Sequence, residues 1–101
     1  MAIELPGKEK IRLTADHLKP FIHRTPVLTS MLINEITESE IFFKCENFQK
    51  TGSFKIRGAL NAVFQLSPEE KANGVITHSS GNFAQALAYA AKCSRIKATI
   101  E

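Results

Sequence analysis

Cysteine and tryptophan are scarce in this sequence. Its 101 residues include no tryptophan and only two cysteines, Cys45 and Cys93. The two thiols are far apart and form neither a CxxC pair nor a Cys/His cluster with zinc-ligand spacing, so neither a structural zinc site nor a CxxC redox centre is expected. Both lie in apolar segments, which predicts buried, unreactive thiols in a reducing, cytoplasmic compartment.

Long apolar runs and runs of one charge are also missing. No stretch reaches the about 20 apolar residues that span a bilayer, and residues 1–12 lack the apolar segment of a signal peptide. The formal charge of +3 is mild, and the positive residues are scattered without interleaved aromatic side chains. We therefore expect no membrane insertion and no nucleic-acid partner.

The first third of the chain has two helical patterns. After an irregular arm over residues 1–13, apolar residues at helical spacing predict a helix that starts at Thr14. Pro20 marks either a later start or a kink in that helix. Ser30 is predicted to cap a short second helix.

Three more helices are predicted in the remainder of the chain. One is capped by Ser53, and another starts at Ser67, where a proline and two glutamates follow. An alanine-rich helix is predicted over residues 83–93. The residues predicted on buried faces are Ile56, Ala59, Leu60, Val63 and Phe64 in the Ser53 helix, and Phe83, Leu87, Ala90 and Ala91 in the last helix.

Strands alternate with these helices. Residues 41–46, 75–78 and 96–100 have the composition of strands, so the order predicts an α/β fold with a largely parallel sheet. The chain ends at Glu101, directly after a strand, and three strands with two covering helices make a poor complete parallel sheet. We therefore expect the chain to be a fragment of a larger domain.

One polar loop leads into the Ser53 helix and places Lys55 in its first turn. Backbone N–H groups and the positive end of the dipole make such a helix start a natural anion site. A lysine amine in that position, if also partly buried, becomes a better nucleophile for an aldehyde. From the pattern alone, a plain surface lysine at a helix start remains the alternative interpretation.

A second polar loop, THSSGN over residues 77–82, leads into the alanine-rich helix. Ser80, Gly81 and Asn82 offer a hydroxyl, a flexible backbone and an amide. A helix cap by Ser79 or Ser80, with Gly81 serving the turn, explains the same residues. Neither GxxxxGK[ST] nor GxGxxG is present, so these loops do not indicate a P-loop or a dinucleotide fold.

The two loops together resemble a known family. FFKCENFQKTGSFKIRGA, over residues 42–59, is similar to the cofactor-lysine region of serine racemases and serine/threonine dehydratases. THSSGN matches the same family at the expected distance downstream, and RTPVLTS, over residues 24–30, matches its N-terminal segment. These enzymes use pyridoxal phosphate (PLP) and have the fold-type II, tryptophan synthase beta-like architecture.

The resemblance implies a role for each matching residue. Lys55 would form the Schiff base with PLP, and Asn82 would hydrogen-bond the ring hydroxyl. Ser79, Ser80, Gly81 and Asn82 would form the loop that binds the substrate. Lys55 and Ser80 would be the catalytic pair, acting on opposite faces of the substrate, which would be serine or threonine.

The resemblance also implies domains and binding sites that would be complete only in a longer protein. Residues 13–68 would belong to the large domain and residues 74–101 to the start of the small domain. Relatives bind ATP near the positions of Ser30, Met31, Lys50 and Thr51, although Met31 replaces a serine. A Mg²⁺ site and the loop for the PLP phosphate would lie after Glu101, and the full-length protein would be a homodimer. No metal site is expected within these residues.

Three functions remain open at this point. The first is PLP-dependent racemisation of serine, with or without dehydration of serine or threonine to a 2-oxo acid and ammonia. The second is a truncated fragment without catalysis that acts at most as an interaction module. The third is an anion-binding α/β module that needs no cofactor.

Overall fold

Five α-helices and four short strands make up the fold over residues 3–101, which are the residues that the computed structural model describes. Three single turns of 3₁₀-helix lie between them, at Lys19–Phe21, Glu46–Phe48 and Lys50–Gly52. In chain order the elements are α1 (Lys8–Leu18), β1 (Val27–Leu28), α2 (Met31–Thr37), β2 (Phe43–Lys44), α3 (Lys55–Phe64), α4 (Pro68–Asn73), β3 (Val75–Thr77), α5 (Asn82–Ser94) and β4 (Ala98–Ile100).

The first helix starts earlier than its apolar pattern indicates. α1 begins at Lys8, so the prediction of an irregular arm up to residue 13 and a start at Thr14 is wrong. Gly7 occupies the N-cap position, and Glu9 places a negative charge in the first turn, where it favours the helix. Pro20 lies after the helix, in the first turn of a 3₁₀ segment, where its missing N–H leaves no bond unmade.

The strands form two separate pairs. β3 and β4 are parallel, as predicted, with Val75 opposite Ala98. β1 and β2 are antiparallel, so the expectation of a largely parallel sheet fails for this pair. Of the strand predicted over residues 41–46, only Phe43 and Lys44 form β2, and Cys45 adds one hydrogen bond from its N–H to the carbonyl of Pro26 at 2.9 Å. The α/β class itself is confirmed.

The core lies between α3 and α5. Ile56 and Leu60 of α3 are fully buried, and they pack in one cluster with residues of α5 and with Leu18. Phe64 is partly buried and meets the ring of Phe21 edge-on at 4.7 Å between centroids. The buried residues of this cluster are Leu18, Ile56, Ala59, Leu60, Val63, Ala86, Leu87 and Ala90. This core therefore holds together α3 and α5, the two helices that follow the polar loops.

Three local predictions have different outcomes. The cap of α4 is confirmed, since Ser67 and Glu70 form a reciprocal capping box.

The prediction that Phe83 is a core residue is wrong. Phe83 lies in the first turn of α5, before the packed turns, and is 36% exposed. Cys45 and Cys93 are only partly buried, because each lies at the margin of the packed region.

Gly74 joins α4 to β3 in a conformation that requires glycine. Its φ is +81°, and a Cβ atom there would lie 2.7 Å from the carbonyl oxygen of Lys97. The same Lys97 carbonyl accepts a hydrogen bond from Val75 N–H at 2.8 Å. The glycine therefore lets β4 approach closely and fixes the direction of β3, which leads into the second polar loop.

Candidate active site

Lys55 is the first residue of α3, and its side chain is exposed. Partial burial, which would favour its amine as a nucleophile, is therefore absent here. The predicted cap by Ser53 is wrong, because Phe54 occupies the N-cap position and no side chain caps α3. The Ser53 hydroxyl instead accepts a long hydrogen bond from Lys55 N–H, at 3.4 Å, within the preceding turn. Neither ion pair found among residues 3–101 includes Lys55, which leaves its amine available for reaction.

The turn before Lys55 is strained and packed against α5. Thr51 has a φ of +63°, which is unfavourable for a β-branched residue, and Gly52 follows at +77°. The Thr51 hydroxyl is buried and has no hydrogen-bond partner in the part of the chain that is described. Lys50 Nζ lies 5.6 Å from the centroid of the Tyr89 ring, a cation–π distance. This contact joins the turn to α5.

The four residues predicted for a nucleotide do not form one hydrogen-bonded group. Ser30 caps α2 by accepting a bond from Ile33 N–H at 3.3 Å, and Met31 is exposed. Within residues 3–101 no hydrogen bond joins either of them to Lys50 or Thr51. The nucleotide site therefore stays a prediction.

A polar network centred on Glu46 holds the segment that precedes Lys55. The Glu46 carboxylate accepts two hydrogen bonds from the guanidinium of Arg57, which lies in the first turn of α3; the bond from Nη2 to Oε2 measures 3.2 Å. The hydroxyl of Thr25, which is buried, donates to the same carboxylate at 2.6 Å. The network therefore ties the start of α3 to the segment before β1.

Gln49 completes this network through the backbone. Its amide oxygen accepts from His23 N–H at 2.8 Å and from Lys50 N–H at 2.9 Å, and its amide nitrogen donates to His23 C=O at 2.8 Å. Gln49 is almost fully buried. Sequence reasoning missed the roles of Thr25, Glu46, Gln49 and Arg57, although all four lie inside the matched strings.

Pairing with Arg57 lowers the pKa of the Glu46 carboxyl. The hydrogen bonds from Arg57, reinforced by the one from Thr25, outweigh desolvation and lower the pKa of Glu46 from 4.5 to about 2. A pKa that is lower in the folded state than in the unfolded state stabilises the fold above about pH 4.5. This contribution disappears as the pH falls towards 2.

Replacing Glu46 with glutamine should therefore remove part of the acid sensitivity of folding. Between pH 5 and pH 2.5 the wild-type chain should lose about 1–2 kcal/mol more unfolding free energy than Glu46→Gln, a range that allows for solvent screening of this partly exposed pair. Urea denaturation at a series of pH values measures the difference. Glu35→Gln, an exposed change on α2, is the control and should follow the wild type; parallel curves for wild type and Glu46→Gln would contradict the assignment.

The second polar loop starts where β3 ends. Ser79 N–H donates to the carbonyl of Glu101 at 3.1 Å, which extends the β3–β4 pairing by one bond. The hydroxyl of Ser79 accepts from Gly81 N–H at 3.4 Å. Gly81 occupies the N-cap position of α5 without a side-chain cap, so the predicted cap by Ser79 or Ser80 is wrong: the Ser79 hydroxyl is used inside the turn.

The start of α5 presents unused donors to solvent. Ser80, Gly81 and Asn82 are exposed. Because no side chain caps this helix, the N–H groups of its first turn are left for water or for an anion. The loop can therefore offer backbone donors, the Ser80 hydroxyl and the Asn82 amide to a small acidic molecule.

Comparison with known proteins shows which family this chain belongs to. The family model described as "Pyridoxal-phosphate dependent enzyme" matches residues 18–100. The chain belongs to the pyridoxal-phosphate-dependent enzyme family. The predicted resemblance to serine racemases and dehydratases is thereby confirmed at the family level.

Individual relatives cover the same region. A serine racemase of Dictyostelium discoideum is 59% identical over 80 residues, which are 79% of this chain and 25% of the relative. Among solved structures, maize serine racemase has a TM-score of 0.85 at 49% identity, covering 92% of this chain and 29% of the other. A threonine deaminase from T.th. has a TM-score of 0.82 at 39% identity, covering 94% and 30%. The chain thus spans between a quarter and a third of the length of these relatives.

The side chains present fit part of the PLP molecule. PLP carries an aldehyde, a ring hydroxyl, a pyridine nitrogen and a phosphate. The exposed amine of Lys55 suits the aldehyde, and the exposed amide of Asn82 suits the ring hydroxyl. The amine of Lys55 and the amide of Asn82 are therefore chemically suited to these two groups of PLP.

Metal clusters and membrane spans are both missing from the described residues. No group of three or more His, Cys, Asp or Glu side chains within residues 3–101 is arranged to hold a metal ion. In the same range no helix is long and apolar enough to cross a membrane.

Proposed function

We propose that this chain is the N-terminal catalytic segment of a PLP-dependent enzyme that racemises serine and eliminates water from serine or threonine. The observation that carries the proposal is the position of Lys55 and of the Ser79–Asn82 loop: each starts one of two helices that share a core. A lysine that binds the cofactor covalently and a loop that binds the substrate must be held rigidly relative to each other. A core shared by their two helices does this.

The loop residues would bind and orient the substrate. The hydroxyl of Ser79 and the backbone N–H groups at the start of α5 would donate to the substrate carboxylate, which suits the positive end of α5. Asn82 would fix the tilt of the cofactor ring through its amide. These interactions would select an amino acid with a free carboxylate and leave its side chain facing the remainder of the enzyme.

Two groups would move the α-proton. PLP, once bound, supplies the electron sink that makes the α-proton acidic. Lys55, which would hold the cofactor through its amine, would remove that proton when the substrate amine takes its place. Ser80 would return a proton to the opposite face, which would invert serine. Loss of the β-hydroxyl as water would instead leave an enamine, which water hydrolyses to a 2-oxo acid and ammonia.

The rest of the active site would come from a longer structure. We propose that residues 13–68 form part of a large domain and residues 74–101 the start of a small one. The phosphate loop, a Mg²⁺ site and a homodimer contact would belong to the remaining length, with ATP near Ser30, Met31, Lys50 and Thr51. The partly buried free thiols of Cys45 and Cys93 agree with a cytoplasmic enzyme.

The small share of its relatives that this chain covers favours a second function, that of a non-catalytic fragment. Because the chain supplies only 25% and 29% of the length of the two serine racemases, a chain that acts alone would be a non-catalytic fragment. It would bind other molecules through its exposed loops or apolar surfaces. This alternative predicts folding and anion binding without turnover.

Turnover of serine distinguishes the two functions. The chain, co-expressed with the part of Dictyostelium discoideum serine racemase that follows the matched segment and supplied with PLP, should form both pyruvate and D-serine from L-serine. Pyruvate without D-serine would restrict the function to dehydration. A folded assembly that binds PLP and forms neither product would contradict the proposal.

A further inference from the structure

We propose that Glu46 is a positioning residue for Lys55, because it holds the segment that carries Lys55 at both ends. Gln49 lies before Lys55 in the chain and Arg57 lies after it. The Glu46 carboxylate accepts the two hydrogen bonds from Arg57 and a longer one from Gln49 Nε2, at 3.5 Å. The segment from Gln49 to Arg57 is thereby closed into a loop that has Lys55 within it.

The Arg57 end fixes the first turn of α3. Lys55 and Arg57 both lie in that turn, so a rotation of the turn that moves one side chain also moves the other. Two bonds from a planar guanidinium to one carboxylate fix a direction as well as a distance. The Glu46 side chain is only 16% exposed, which limits competition from water. The pair therefore restricts the direction in which the Lys55 side chain leaves the helix.

The Gln49 end fixes the turn before α3. The carbonyl of Gln49 accepts a hydrogen bond from Gly52 N–H at 2.8 Å, which closes the turn around the strained Thr51. Backbone in such a conformation persists only where its surroundings hold it. The buried Gln49 side chain is bonded to the backbone of His23, so the turn cannot relax without breaking these bonds. The backbone that leads into Lys55 is therefore fixed as well.

The carboxylate of Glu46 cannot be replaced by an amide without loss. Its Oε2 accepts from three donors, namely Arg57 Nη2, the Thr25 hydroxyl and Gln49 Nε2, and its Oε1 accepts from Arg57 Nε. In Glu46→Gln an NH₂ group takes one of the two positions, and in either orientation it faces an N–H of Arg57. The change keeps the size of the side chain and breaks the two-point contact.

This inference rests on the proposed function, in which the amine of Lys55 removes the α-proton. The direction of that amine would then determine the rate of proton removal, since a displacement of about 1 Å can slow a reaction about 10²-fold. The substrate carboxylate would bind at the start of α5, and none of the hydrogen bonds of Glu46 within residues 3–101 reaches that loop. Loss of the Glu46 contact should therefore lower kcat and leave KM for serine unchanged.

Glu46→Gln is tested in the assembly of this chain with the C-terminal part of Dictyostelium discoideum serine racemase, supplied with PLP. For pyruvate formation from L-serine, kcat should fall about 10- to 100-fold and KM should stay within about twofold. Circular dichroism in the absorption band of the bound cofactor should weaken, because it reports how rigidly the chain holds the ring.

Asp16→Asn is the matched control. It breaks the pair between Asp16 and Lys19 on α1, whose side chains are 62% and 74% exposed. This variant should keep the wild-type kcat, KM and cofactor dichroism.

Arg57→Lys tests the contact from the other side and serves if Glu46→Gln does not fold. Lysine keeps the positive charge but lacks the planar fork, so kcat should again fall about tenfold at unchanged KM. The double variant Glu46→Gln/Arg57→Lys should lose no more kcat than the more impaired single variant, because both changes break one contact. A wild-type kcat in a folded Arg57→Lys assembly would overturn the proposal.

Thermal unfolding without PLP separates a positioning role from a purely structural one. A Glu46→Gln assembly that unfolds at a lower temperature but keeps the wild-type kcat and cofactor dichroism would show that Glu46 serves stability alone. That result would overturn the positioning role and leave the proposed function intact. A wild-type assembly that holds PLP without attaching it to Lys55 would instead overturn the proposed function, and the positioning role with it.

Discussion

Ser80→Ala is expected to abolish the racemisation of serine and to leave the elimination of water almost unchanged, in an assembly that contains this chain and the remaining part of the fold. Racemisation requires removal of the α-proton on one face and its return on the other, whereas elimination needs a single group to take that proton. A positioned acid or base contributes about 10²–10⁴-fold. D-Serine formation should therefore fall at least about 10²-fold, and pyruvate formation should change by less than about threefold.

Ser79 provides the matched control for this prediction. Its hydroxyl accepts a hydrogen bond inside the turn, and the residue is less exposed than Ser80. Ser79→Ala should thus loosen the loop and reduce both reactions by similar factors. Equal losses of both reactions in Ser80→Ala, or unchanged racemisation, would contradict the assignment of the two faces.

Lys55→Ala has the largest expected effect on both reactions. Without its amine the covalent attachment of PLP and the proton-abstracting group are lost together, so pyruvate and D-serine formation should each fall about 10³-fold or more. The comparison is Lys92→Ala, which removes an exposed lysine from the last turn of α5 and should retain both activities.

A structural explanation for that loss can be tested at the same time. Lys55 contributes its backbone N–H to the start of α3, and alanine keeps this group. The thermal stability of Lys55→Ala without PLP should therefore equal that of the wild type. Retained turnover in Lys55→Ala would contradict the proposed function.

Local patterns predicted the parts of the fold that depend on neighbours in sequence. The buried residues Ile56, Leu60 and Val63 follow from helical spacing, and the Ser67 capping box follows from residues three apart. Phe83 shows the limit of this reasoning. Its spacing fits the apolar face of α5, but which turns of that face are covered depends on α3, and the pattern does not contain that information.

Features that depend on residues distant in sequence could not be predicted from local patterns. Whether β1 and β2 run parallel or antiparallel is decided by pairing between distant residues, and so is the part of residues 41–46 that forms a strand. The Glu46 network joins Thr25, 21 positions earlier, to Arg57, 11 positions later. No periodicity signals such a contact, although a charged residue at the margin of a strand is a reason to look for one.

The positions of the candidate site residues follow from sequence patterns, whereas their roles follow from the family resemblance. Spacing alone placed Lys55 and Asn82 near helix starts, and the structure agrees with both positions. Their roles came from the resemblance, which the family match supports without testing each residue.

Borohydride reduction after the addition of PLP tests the central claim most directly. The reduced adduct is stable, so peptide mapping by mass spectrometry can locate the modified lysine in the chain when it is complexed with the C-terminal part of the relative. A single pyridoxyl group on Lys55, absent from Lys55→Ala, is the predicted result. Modification of other lysines with Lys55 untouched, or no adduct in a complex that is folded, would contradict the account.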